Sequence, residues 1–274
     1  MRIYNEPLSA DCAPKESQIP SVSFSPSSYS VEIREAESLC KTRPRDPENY
    51  LNLAKMFRRQ GLYRESGEAC AAGLILEPFD GRFHYEKGIA YMKQERISEA
   101  AAAFTLAGRF NKGSFAAHIA RGIAQTMLGQ GEQSEDAYYW AAECAKNDEQ
   151  RFLLADWHLT SLMISGRARE KASVLRTIPK TMDIEDCIDS AQLCSLYRGM
   201  LAAATVVSYF ANKNIDEEER SSSTGLLGCA IYMINTANTS EGYSLLRDCA
   251  ERKNYSLAAI AARQLYICQP EKWT

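Results

Sequence analysis

The sequence predicts an all-α protein, a right-handed α-solenoid of antiparallel helix pairs, on three observations. The first is a fixed spacing. Tyr50, His84 and His118 are 34 residues apart, as are Ala54, Gly88 and Gly122; Ser66, Ala100 and Ser134; Cys70, Phe104 and Tyr138; and Gly73, Ala107 and Ala141. A constant period of this length marks a helix–turn–helix unit that buries its apolar side only by stacking on its neighbours. The second is the order inside each unit: a bulky residue, a small one four on, then small–x₃–aromatic, with Pro78 closing the first copy. The third is that nothing reads as strand.

Residues 1–29 read as a disordered Ser/Pro-rich tail, because Ser17–Ser30 is dominated by serine and carries Pro20 and Pro26. Composition leaves two uses open, a linker or a docking signal. Residues 30–46 hold one helix, Val31–Thr42, capped by Ser30 and stopped by Pro44 and Pro47. A repeat array follows over 47–178, with three clear units at 47–80, 81–114 and 115–148. Gly61 and Tyr63 mark the first turn, and either Gly129 or Gly131 the third. Phe152–Ser165 and Arg169–Ile178 make a degenerate fourth pair.

The C-terminal region, 179–274, is predicted to hold one long helix over Asp183–Ala211, with a possible break near Gly199. Asp183, Glu185 and Asp186 would sit at its positive N-terminal end, and Asp216–Glu219 would do the same for a helix running to Asn235. The end is predicted to be a degenerate repeat pair. Taking Pro270 as its closing proline puts Leu246 at the small position, Tyr255 at the turn, and Ala258, Ala262 and Leu265 on the last helix.

Bulk properties exclude several function classes. A formal net charge of −3 gives no electrostatic footprint for nucleic acid or an acidic membrane. The nine cysteines are odd in number and contain no C-x-x-C, so they read as reduced, buried residues of a cytoplasmic protein. The start has no continuous apolar run of a secretory signal, and Gly199–Ala211 is too short to span a bilayer. No H-E-x-x-H, Gly-rich phosphate loop, G-x-S-x-G or metal-spaced cysteine set is present. His84 and His118 share one repeat position and read as packing residues. His158 has no nucleophile nearby in sequence. The expectation is therefore no enzyme, no cofactor and no metal.

The repeated residues resemble tetratricopeptide repeats, well over 47–148 and weakly over 149–178 and 239–270. That resemblance implies a concave face lined by the first helix of each pair. The lining would be Glu48, Leu51, Lys55, Arg58 and Arg59, then Arg82, Tyr85, Ile89, Met92 and Lys93, then Ala116, Ile119, Ile123, Thr126 and Met127. It is basic at one end and increasingly apolar toward the other. The candidate peptide-binding residues are Leu51, Lys55, Arg58, Arg82, Tyr85, Ile89, Met92, Ile119, Ile123 and Met127. A contiguous exposed apolar face is a protein-binding surface. The alternative is that the C-terminal helices or the N-terminal tail fill the groove from within the chain.

The carboxylate clamp of heat-shock co-chaperones is absent, since its positions hold Leu51, Lys55, Glu86, Ala116 and Ala120. The stretch Leu76–Phe83, followed by Gly88, Ala100, Phe104 and Ala107, resembles the class II chaperones of type III secretion. That likeness implies a cytoplasmic protein holding a hydrophobic secreted partner over Leu51, Tyr85, Ile89, Ile119 and Ile123. This chain departs from it by roughly a hundred additional helical residues. The expected partner is thus a protein or peptide, with no nucleic acid and no membrane insertion. The competing reading is a scaffold that joins folded proteins, and a homodimer through the Val31–Thr42 helix stays open.

Overall fold

The computed structural model describes residues 29–178, 188–212, 215–236, 238–251 and 257–268, and every regular element among them is helical. The elements are α1 (Val31–Thr42), α2 (Pro47–Arg59), α3 (Tyr63–Leu76), α4 (Gly81–Lys93), α5 (Ile97–Phe110), α6 (Phe115–Met127) and α7 (Gly131–Cys144). They continue with α8 (Asp148–Ile164), α9 (Lys171–Thr177), α10 (Ile188–Tyr197), α11 (Ala203–Ala211), α12 (Ile215–Ile234), α13 (Thr239–Glu251) and α14 (Leu257–Cys268). A single 3₁₀ turn, Ala168–Glu170, leads into α9. Consecutive helices from α1 to α8 pack on one another, the arrangement of a stacked helical-pair solenoid.

The two helices of a pair start differently, for a local reason. The first is entered through a side-chain cap: Asp46, Asp80, Ser114 and Asn147 accept from the amides of Glu48, Arg82, Ala117 and Gln150. Such a cap satisfies a donor that has no partner inside the helix. The second helices, α3, α5 and α7, have no side-chain cap. They are entered through a tight turn whose hinge residue, Gly61, Glu95 or Gly129, is left-handed, and Gly166 after α8 and Gly199 after α10 do the same, all with φ between 59° and 75°. In each turn the next amide returns to a carbonyl five residues back, as in Leu62 to Phe57 at 2.9 Å and Met200 to Ser195 at 2.8 Å. This is the glycine-type helix terminator.

Gly199 therefore divides the single helix expected over Asp183–Ala211 into α10 and α11. Gly129, rather than Gly131, is the left-handed residue of the third turn. The tail up to residue 28, Asp183, Glu185, Asp186, Tyr255 and Pro270 lie outside the described residues, as do the side chains of Asp216–Glu219.

Inside each pair, small residues admit the facing aromatic ring. A Cβ on Gly88 would stand 2.6 Å from Phe104, and one on Gly122 would stand 2.5 Å from Tyr138. Ser66 uses the same close approach to donate to the Ala54 carbonyl at 2.9 Å. The bulky anchors do something the spacing did not reveal. The hydroxyl of Tyr50 and the Nε2–H of His84 and of His118 donate to the carbonyls of Pro44, Pro78 and Lys112, each six residues earlier, at 2.9–3.1 Å. One side-chain bond thus recurs at three successive inter-pair loops.

Two hydrophobic clusters result. The smaller joins α1, α2 and α3 with Phe83. The larger runs from Met92 to Leu265, so the second half of the array and the C-terminal helices share one core.

Candidate partner-binding face

The tetratricopeptide resemblance puts the concave side of the array on α2, α4 and α6. The structure gives equivalent positions on it very different surroundings. α14 packs on α4 and α6. Ala258 to Ala262 are all exposed by 1% or less, which requires neighbours all round α14. Ile119, Ile123, Met127 and Met92 belong to the same core as Ile260, Ala261 and Leu265. Arg263 of α14 donates from Nε to Glu95 Oε1 at 2.8 Å, tying the last described helix to the α4–α5 turn.

Four residues expected to line an open groove, Met92, Ile119, Ile123 and Met127, are therefore buried under the chain's own C-terminal helices. The physical reason is that the apolar run Ala258–Ala262 goes all round α14 and has to be enclosed. Thr126 is also interior. Its hydroxyl bonds to Tyr138 and Ser161 in a buried network. Leu51 is a second correction. It is fully buried in the smaller cluster with Tyr50, Leu53 and Phe83.

The rest of the candidate set stays reachable at the other end. Tyr85 and Ile89 are half-buried at the margin of the large core. Lys55 and Arg58 are part-exposed, and Arg59 and Arg82 are exposed. Arg58 donates from Nε to Glu86 Oε2 at 2.7 Å, and Glu86 is itself buried. Arg82 is bound by Asp80 and Glu48. Hydrogen bonds that Arg82 donates to Asp80 and then Glu48 hold its guanidinium above its ordinary range. Burial alone would raise Asp80, but its bonds with Arg82 outweigh this and lower it. Burial, then Glu86, raises the Tyr85 phenol, while Arg58 acts the other way.

A second concavity, a cleft of about 420 Å³, opens between α7, α8 and α9. Its floor is Leu154, Ala155, Val174 and Ile178, and Tyr139 and Arg151 stand among its walls. His158 lies in it, bonded to Glu135 at 2.9 Å and stacked on Tyr138. The cleft exists because α9 has 7 residues where α3, α5 and α7 have 14. Sequence reading missed it. The sign was Pro179, which falls too soon after Gly166 for a full second helix. Among the described residues, no group of three or more His, Cys, Asp or Glu is placed to hold a metal ion, and no helix is long and apolar enough to cross a membrane.

The 34-residue rows thus reappear as glycine–aromatic contacts and carbonyl bonds, with caps and left-handed turns recurring beside them. The fold is tetratricopeptide-like. No protein-family model matches the chain, and no curated protein matches it. Among solved structures, it is similar to a chain in "Structure of Naa15/Naa10 bound to HypK-THB", with 15% identity and a TM-score of 0.43. The match covers 84% of this chain and 36% of that one, so this protein spans about a third of its length. A likeness of this degree assigns no function.

Proposed function

We propose that this chain is a non-enzymatic, protein-binding α-solenoid, a scaffold that engages a partner through the open end of its concave face on α2 and α4. The observation behind this reading is the uneven cover of one repeat position: Lys55 and Ile89 are both part-exposed, whereas Ile123 is buried. A stacked array leaves its unfilled concave residues as the natural contact surface. No cofactor is part of the proposal. Free, buried Cys40, Cys70, Cys194 and Cys229 support a reducing, cytoplasmic setting. Val31 and Leu39 remain exposed on α1, which supports keeping a homodimer through that helix within the proposal.

The secretion-chaperone reading asks for an apolar groove open along its whole length. Ile119 and Ile123 are buried in a core that also holds α14, so that reading needs this core to open, whereas a scaffold does not. The test is affinity capture with the wild type beside Tyr85→Glu, with circular dichroism as the check on folding. Partners lost from a folded variant support the open end as the contact. A folded Tyr85→Glu that retains every partner sinks it. A single hydrophobic partner whose binding exposes α14 to proteolysis would favour the chaperone.

A further inference from the structure

The open end of the concave face carries a small polar constellation that packing does not explain. Lys55, Arg58 and Arg59 share a face of α2, spaced three and four residues apart. Tyr85 lies on α4, which packs directly on α2. Buried Glu86 takes the Nε–H of Arg58. That bond fixes the guanidinium plane and leaves its terminal nitrogens directed elsewhere, a geometry suited to a carboxylate fork. Among the described residues, neither Lys55 nor Arg59 forms a hydrogen bond or ion pair, and the Tyr85 hydroxyl forms no hydrogen bond.

Beside these groups the surface turns apolar at Ile89. At the equivalent positions on α6 the chain places Ile123, Thr126 and Met127, which its own helices cover. The cations of α2 therefore stand on a part of the face that the described residues leave part-exposed. A carboxylate brought here meets an ammonium, a pre-aligned guanidinium and a phenol donor. An apolar side chain beside it meets Tyr85 and Ile89.

We propose that this end of the face binds an acidic segment of a partner polypeptide, with glutamate or aspartate side chains on Lys55, Arg58 and Tyr85 and an apolar neighbour on Ile89. The proposal rests on the partner-binding reading above and adds the chemistry of the partner. Charge complementarity selects the occupant. The few cations form a spot rather than a stripe along a backbone, and the whole chain carries −3, which disfavours a nucleic acid.

The test uses the full chain and a fluorescently labelled peptide of alternating glutamate and leucine. Its counterpart with glutamine for glutamate and an oligothymidylate are the comparators. The glutamate peptide should bind and weaken with added salt, and the glutamine peptide should bind at least about tenfold more weakly, as expected for lost charge-assisted bonds. Lys55→Glu should weaken it by a similar factor, and Tyr85→Phe by about threefold. Lys55→Glu leaves the core untouched, so its result stands even if Arg58→Ala, which strands buried Glu86, fails to fold. Equal binding of the two peptides, unchanged binding by Lys55→Glu, or preference for the oligothymidylate overturns the proposal. If the peptide fails while Tyr85→Glu still loses its captured partners, the acidic chemistry falls and the partner-binding reading survives. If both fail, both fall.

Discussion

Lys55 on α2 and Ile123 on α6 occupy the same place in two copies of one repeat, and their environments share little. Lys55 is part-exposed beside Arg58, while Ile123 is 3% exposed in a core that includes α14. The helices that carry them are capped alike, turn alike and pack alike on their own partners. The contrast teaches that the repeat dictates the pair and its stacking, whereas whatever lies across the concave side dictates the residues facing it. A face that looks like a binding groove in sequence can be half core and half surface.

The sharpest way to break this comparison is to truncate both positions. Ile123→Ala should cost about 2–5 kcal/mol, because it removes buried methylenes from a core that α14 closes. Urea unfolding would measure it. A loss under about 1 kcal/mol would mean that α14 does not seal the face, as would be expected of the full-groove chaperone.

A second pair of variants tests whether the two ends differ anywhere except on the concave side. Gly88→Ala and Gly122→Ala each drive a methyl into an aromatic ring, on Phe104 and Tyr138 respectively. Overpacking costs about 1–3 kcal/mol, partly offset by about 0.5–1 kcal/mol of helix propensity. Both variants should lower stability by similar amounts. Gly67→Ala, whose new methyl would rest 3.9 Å from Ala90, should instead stabilise by up to about 1 kcal/mol. Thermal melts of the three rank them. A large gap between the two buried glycines would show that cover by α14 also changes packing within a pair.

The third prediction concerns acid. Tyr50 at the open end and His118 toward the covered end make the same bond to a loop carbonyl, but only histidine titrates near neutrality. Nε2–H of His118 is the donor, so buried Nδ1 would have to take the second proton without a partner. Burial, and then Arg121, depress the His118 pKa, against the Lys112 bond and Asp136; Trp140 stacks on the ring. A depressed histidine favours the unfolded chain once protonated. The neutral ring's contribution is thus complete above about pH 6.5 and falls as pH drops through and below that value. His118→Tyr, which copies Tyr50, should reduce this acid sensitivity. The readout is the difference in melting temperature between neutral and mildly acidic buffer, compared across the two proteins.

Much of this was legible because local chemistry repeats. The rows at Ala54/Gly88/Gly122 and Cys70/Phe104/Tyr138 set the contact inside each pair, and Pro47, with Asp46 before it, announced the start of α2. The left-handed row Gly61/Glu95/Gly129 went unread because Glu95 interrupts it, although the spacing is again 34. The burial of Ile119, Ile123 and Met127 was legible only as an alternative, a groove filled from within the chain. The apolar run Ala258–Ala262 shows that α14 must be enclosed, but not by which helices, since that is a contact between residues far apart in the chain. The cations at Lys55 and Arg58 were visible, but the buried Glu86 that orients Arg58 was not.

The smallest expected effect on stability is the most informative for the site. Lys55→Ile gives α2 the residue that α4 and α6 carry at this position. If cover decides what the face tolerates, the change should move stability by no more than about 0.5 kcal/mol, because the described residues leave position 55 part-exposed. Binding of the glutamate–leucine peptide should nevertheless weaken by about tenfold, since an ammonium is lost where a carboxylate would sit. Stability and affinity are then separated at one residue. A stabilisation above about 1 kcal/mol would instead show that Lys55 faces an apolar cover, and that the open end is closed in solution much as α6 is.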